Sequence, residues 1–145
     1  MEGTIATEIP LALAGVKDKK WIEVVPGNVW IKVLWTDADR GAWAVLYRWS
    51  KGYVAPPHRH LSDAHLLVLS GSLQVRDGYF GPGDYGYEPR GAVHGSTTTL
   101  EDCVYLFICN GPILMTEDEE ASIPSYEFGC EQVRMIGEQA AAQSD

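Results

Sequence analysis

Short runs in which apolar and polar residues alternate make up most of this chain, and glycine or proline closes nearly every one. The clearest is NVWIKVLWT (28–36), which sets Val29, Ile31, Val33 and Trp35 against Trp30, Lys32 and Leu34. Successive side chains of a strand point to opposite faces, so a period of two predicts β structure here. WIEVV (21–25), stopped by Pro26-Gly27, and AWAVLYRWS (42–50), entered through TDADRG, predict its neighbours. Farther along come HLLVLS (65–70) and SLQVR (72–76), parted only by Gly71, then YGYEP (85–89) and CVYLFICN (103–110). β-Branched and aromatic runs with turn signals every 8 to 12 residues predict an all-β sandwich or barrel. DGYFGPGDYG is too rich in glycine for helix, and nothing before Glu131 carries helical periodicity longer than a turn. The tail GEQAAAQSD (137–145) reads as a frayed helix or a disordered end. No repeat or linker interrupts the pattern, so a single domain over residues 1–145 is expected.

The strand at 103–110 is apolar on both faces, with Val104, Leu106 and Ile108 alternating with Tyr105 and Phe107. One face is expected to line a cavity and the other to meet a partner layer, which predicts a homodimer through strand or sheet packing. Trp30, Trp35, Trp43 and Trp49 are expected as barrel or interface packing, with a share of them available to line an apolar pocket.

Charge narrows the partners. With 20 acidic against 11 basic residues the net charge is −9, and such a surface repels phosphate backbones, so no nucleic-acid partner is expected. TEDEEAS (116–122) concentrates part of that charge and reads as a solvated loop. No apolar run approaches the roughly 18 residues of a membrane span. The first residues, MEGTIATEIPLALAG, lack a basic region ahead of their short apolar patch, so no signal peptide is expected. Cys103, Cys109 and Cys130 are odd in number and lack CxxC spacing, which argues against a disulfide framework or a thiolate zinc site. They read as small buried hydrophobes, and the expected compartment is the cytoplasm.

Against this plain background the histidines stand out. PPHRHLSDAH (56–65) holds His58, His60 and His65, and the remaining one, His94, lies 34 residues after His60 in GDYGYEPRGAVHGS. On a strand, His58 and His60 project together and Arg59 turns away. Two imidazoles on one face can be offered to one ion, with His94 the remote histidine available as a third ligand. Arg59 is expected in packing and Arg90 in a solvated turn.

Gly52-(x)5-His58-x-His60 resembles the first motif of the cupin superfamily, G(x)5HxH(x)3–4E(x)6G. Gly83, Pro89, Gly91 and His94 resemble the second, G(x)5PxGxxH(x)3N, with Thr98 at the place of the closing Asn. Together the motifs cover residues 52–98, and the resemblance implies a cupin-type β-barrel, a jelly roll or double-stranded β-helix, around a metal held by His58, His60 and His94. The customary glutamate of the first motif falls on His65, and the closing glycine on Gly71. A site without that carboxylate is similar to the three-histidine branch of the cupins, which includes acetylacetone-cleaving and 2,4′-dihydroxyacetophenone dioxygenases.

What the resemblance implies is a non-haem Fe(II) dioxygenase that uses O2 to cleave a carbon–carbon bond beside a carbonyl in a small β-diketone or aryl ketone. Three neutral imidazoles would leave the full 2+ charge of a bound ion in place, which favours chelation by an enolate. Imidazole serves several metals alike, so zinc, nickel, manganese or copper can occupy the same ligands. His65 stands as a fourth ligand or as a group orienting a ligand or the substrate. Glu88, just before the motif proline, stands as a surface carboxylate, as an acceptor for an imidazole N–H or a bound water, or as the base that takes the enolising proton. Two other readings use the same site without oxygen: a metal-binding sensor or regulatory module, and a non-oxidative isomerase or lyase.

Overall fold

In the computed structural model, which describes residues 15–75 and 78–143, the alternating runs become strands. A 3-10 turn at Val16–Asp18 leads into β1 (Ile22–Val25), β2 (Val29–Asp37) and β3 (Ala42–Trp49), an antiparallel meander. β4 (Val54–Ala55) and β5 (His58–His60) follow, then β6 (Ala64–Ser70), β7 (Leu73–Val75), β8 (Gly78–Phe80) and β9 (Tyr85–Glu88). The second half contains β10 (Val93–His94), β11 (Thr97–Thr98), β12 (Cys103–Cys109), β13 (Ile113–Thr116) and β14 (Pro124–Phe128), and ends in a helix, α1 (Cys130–Ala142).

One six-stranded antiparallel sheet, ordered β1-β2-β3-β12-β6-β9, forms one wall. Two four-stranded sheets, β10-β5-β13-β14 and β4-β11-β7-β8, complete the barrel. All three contribute to one core: Trp43, Val45, Phe107 and Val68 from the first, Ile113 from the second, Ala55 and Leu73 from the third. β12 sits near the middle of the long sheet, and its ambiguity is resolved there. Tyr105 and Phe107 face inward and are buried, whereas Ile108 is exposed on the outer face.

Gly71 shows how tightly the wall is closed. With Ser72 it links β6 to β7, at φ +74°, and a Cβ there would lie 2.1 Å from the Asp102 carbonyl oxygen. Only glycine satisfies both demands.

Several sequence expectations change. The tail reads in the structure as the end of a 13-residue helix that begins at Cys130, ahead of the proposed 137–145. Val133 is fully buried, and Gly137 lies against Val33, where even a Cβ would come within 3.3 Å. Burial against β2 thus holds a segment whose apolar stripe is too thin to announce itself. TEDEEAS is more than a solvated loop: Asp118 accepts hydrogen bonds from the backbone amides of Ser122 and Ile123, Glu119 accepts from Ser96, and Ala121 is buried. Cys103 and Cys109 are buried free thiols and Cys130 is half-buried. Among the tryptophans, Trp43 is wholly buried, with its indole N–H on the Gly111 carbonyl, while Trp35 is exposed. Among the described residues no helix is long and apolar enough to cross a membrane. Residues 1–14, on which the absence of a signal peptide was read, lie outside the described residues, as do Ser144 and Asp145 of the tail.

Candidate metal centre

Three imidazoles meet because of one short antiparallel pairing. β5 and β10 run side by side with His58 opposite His94 and Arg59 opposite Val93. The link holds further, since the His60 amide donates to the Ala92 carbonyl at 2.8 Å and the Gly91 amide donates to the His60 carbonyl at 2.7 Å. His60 shares the face of His58 by strand alternation, so all three rings project into the barrel. The turn that delivers His94 is made by Pro89 to Ala92, closed by the Ala92 amide on the Pro89 carbonyl at 2.9 Å, with Gly91 at φ +89°. Proline fixes one corner and glycine allows the other.

The rings stand 4.9 to 5.2 Å apart between centroids, and one nitrogen from each lies within 4.8 Å of the other two. His58 Nδ1 lies 3.1 Å from the Pro56 carbonyl oxygen. A carbonyl only accepts, so Nδ1 carries the proton and Nε2 is left with a free lone pair. Burial pushes the His58 pKa down to about 4; the Pro56 carbonyl opposes this, and the neighbouring His94 and His60 reinforce it. The ring is therefore a neutral ligand at physiological pH.

Glu88 reaches the same place from the opposite wall. At the end of β9, paired with Ala64 of β6, its carboxylate lies 2.9 Å from His60 Nε2 and 3.1 Å from His94 Nε2. Burial raises its pKa, but the two imidazoles outweigh that and hold the carboxyl well below the usual carboxylate range. Neither short contact has the in-line geometry of a hydrogen bond. Of the five buried side-chain nitrogens and oxygens without a partner among the described residues, four belong to this cluster: both ring nitrogens of His60, His94 Nε2 and Glu88 Oε2. Leaving such atoms unpaired costs on the order of 1–3 kcal/mol each. A divalent cation among them would satisfy what the protein alone leaves open, and imidazole nitrogen with carboxylate oxygen is a suitable donor set. The residues present thus fit a metal. The charge balance also differs from that of three neutral imidazoles, because a carboxylate from β9 stands beside them.

His65 does not join this group. On β6 it lies between the buried Ala64 and Leu66 and shares the outer face with Tyr85, Tyr87 and Ile108. Its Nδ1 meets the Tyr85 hydroxyl, and its ring lies over those of Tyr85 and Tyr87. The expectation that His65 tunes or ligates the metal is therefore corrected: strand alternation sends position 65 to the opposite side of the sheet from Leu66 and Glu88. Arg59 behaves as expected, turned away from the histidines and donating to the Ala121 carbonyl at 3.3 Å.

Beside the cluster lies a cavity of about 450 Å3, within the usual range for small-molecule sites. His58, Glu88 and His94 stand at one part of its wall, and Leu66, Phe107, Ile113 and Met115 make much of the rest. Tyr47, Trp49, Tyr53, Tyr105 and Tyr126 also line it. Trp49 is the one of the four named tryptophans among the lining residues. Tyr105 belongs to one of the two faces of strand 103–110 between which the cavity side was open, whereas Tyr47, Tyr53 and Tyr126 carried no sequence expectation of this kind.

Residues 11–114 match the model of the ChrR cupin-like domain. An acetylacetone dioxygenase from Acinetobacter johnsonii superposes with a TM-score of 0.74 at 16% identity, over 83% of this chain and 86% of that one. An RmlC-like cupin protein from Ralstonia eutropha gives a TM-score of 0.81 at 18% identity, over 91% of this chain and 87% of that one. A chain from the Rhodobacter sphaeroides complex of SigE with the anti-sigma ChrR is 26% identical, with a TM-score of 0.56 over 65% of this chain and 51% of that one. No curated protein sequence matches this chain.

Proposed function

Since the chain belongs to the ChrR cupin-like domain family, we propose that it is a metal-dependent oxygenase of this barrel type, a non-haem Fe(II) dioxygenase cleaving a carbon–carbon bond beside a carbonyl in a small β-diketone or aryl ketone. The observation that carries this is the convergence of His58, His60 and His94 on one point at the wall of an apolar cavity. When bound, ferrous iron supplies Lewis acidity toward the substrate oxygens and the electron that O2 needs.

This chain's own residues do the rest. The Pro56 carbonyl fixes the tautomer and plane of His58. Glu88 places negative charge against two of the three rings, which offsets part of a cation's charge and favours its retention. Its carboxylate lies 2.9 and 3.1 Å from His60 Nε2 and His94 Nε2, a position that serves to hold the centre. Leu66, Phe107, Ile113 and Met115 exclude water from the bound carbonyl. A homodimer belongs to the same proposal, supported by Leu69 and Ile108, which are exposed on the outer face of the long sheet.

A second reading, a regulatory metal-binding module, is supported by the match to a ChrR cupin-like domain. Anaerobic loading with ferrous iron, followed by oxygen-uptake measurements with β-diketones and hydroxyacetophenones, separates the two. Uptake that scales with substrate supports the dioxygenase. One iron per chain with no uptake across the panel overturns it in favour of the second reading.

A further inference from the structure

Two phenols in the cavity wall have no hydrogen-bond partner among the described residues. Tyr47 and Tyr105 stand directly opposite each other on β3 and β12, with their rings stacked 5.2 Å apart at 26°. Trp49 holds Tyr105 edge-on at 5.5 Å. Neither hydroxyl makes a hydrogen bond among the described residues, although both side chains line the cavity. Burial raises the pKa of both phenols well above the ordinary value, with neighbouring ionisable groups adding to it, so both remain neutral donors.

The Phe107 ring lies between the two groups, 6.1 Å from the ring of His60 and 6.0 and 6.2 Å from those of Tyr47 and Tyr105. An apolar ring thus stands between His60 and the two phenols, although Tyr105 is near enough to Glu88 to feel its charge. Charge restricts the occupant further, since no lysine or arginine is among the lining residues and Glu88 is.

We propose that the cavity takes an uncharged ligand with two polar ends, a chelating pair of oxygens at His58, His60 and His94 and, across an apolar middle, an oxygen acceptor held by the hydroxyls of Tyr47 and Tyr105. The chelating end rests on the function proposed above; the tyrosine end does not. Tyr47 and Tyr105 are then the residues that set specificity for the tail of the ligand.

The test is calorimetric binding of 1-phenylbutane-1,3-dione, its para-methoxy derivative and its para-carboxylate to the zinc-loaded protein. The methoxy compound should bind about two- to tenfold more tightly than the parent, the size of one neutral hydrogen bond, and the carboxylate at least about tenfold more weakly. Tyr47→Phe and Tyr105→Phe, which keep the rings and the packing, should each shrink the methoxy-to-parent ratio, and the double variant should bring it to about one. A ratio of one in the unaltered protein, a ratio that survives in the double variant, or no binding of either neutral diketone overturns the proposal. Zinc carries no oxygen chemistry, so the tyrosine ratio is read whether or not the iron-loaded protein consumes O2. A protein that shows the ratio but takes up no oxygen refutes the dioxygenase alone.

Discussion

His58 and His94 face each other across the β5–β10 pair, with ring centroids 4.9 Å apart, although 36 positions separate them in the chain. Two residues of pairing are enough because hydrogen bonds from Gly91 and to Ala92 extend the ladder to His60. The pairing sets two ligands by register and the third by alternation, so a one-residue slip would turn the set outward.

Loss of one imidazole should therefore empty the site without unfolding the barrel. His94 is partly exposed and ends a two-residue strand. His94→Ala is expected to weaken zinc binding by at least about 100-fold, beyond what loss of a supporting residue costs. Competition with a chromogenic chelator reads the affinity, and an unchanged circular dichroism spectrum shows that the fold persists.

Glu88→Gln keeps the size of the side chain and removes its charge. Metal affinity should fall by at least about 10-fold, since the carboxylate lies against the same ring nitrogens that a cation would meet. The same chelator competition measures it, and an affinity within twofold of the original would show that the carboxylate does not act on the ion.

His65→Ala is the matched control. Because His65 lies on the outer face with Tyr85 and Tyr87, zinc affinity should stay within about twofold. A loss comparable to that of Glu88→Gln would restore His65 to the centre.

Acid should destabilise the metal-free protein in a defined window. The His58 pKa is lowered from 6.5 to about 4 on folding, so between those values the unfolded chain binds a proton that the native ring refuses. Stability then falls as pH drops from 6.5 toward 4, by up to about 3 kcal/mol from this ring. Glu88, depressed on folding, adds loss in the same direction at lower pH. Urea denaturation of chelator-treated protein between pH 7 and 4.5 should show this slope, and His58→Gln should flatten it.

Gly71 and Gly27 separate conformational strain from collision. Both have positive φ, but a Cβ at Gly27 meets nothing within 4 Å, whereas at Gly71 it meets the Asp102 carbonyl at 2.1 Å. Gly27→Ala should cost about 1–2 kcal/mol. Gly71→Ala should cost clearly more, since backbone must move. Thermal melts of the two variants compare them directly.

The strands of the long sheet were legible because each is half-buried: inward residues are apolar, outward ones mixed, and glycines mark the turns. The metal ligands were legible for a related reason, since an HxH pair on a strand and a histidine behind a Pro-x-Gly turn encode their own direction. Other features depend on partners distant in the chain. β13 and β14 acquire their register from β5 and from each other, so Met115 and Tyr126 became cavity wall without a local sign. Glu88 could not be distinguished from a surface carboxylate until β9 was placed against β6. His65 misled because motif spacing counts residues, while the sheet sorts them by parity. Helix α1 rests on Val133 and on the close approach of Gly137 to Val33, contacts that periodicity over so few apolar positions does not reveal.

X-ray absorption at the zinc edge of the reconstituted protein tests the shared centre most directly. Three imidazole nitrogens at about 2.0–2.1 Å, falling to two in His94→Ala, are the predicted first coordination sphere. A spectrum with no imidazole scattering, or one unchanged by that substitution, would mean that the three rings do not hold one ion.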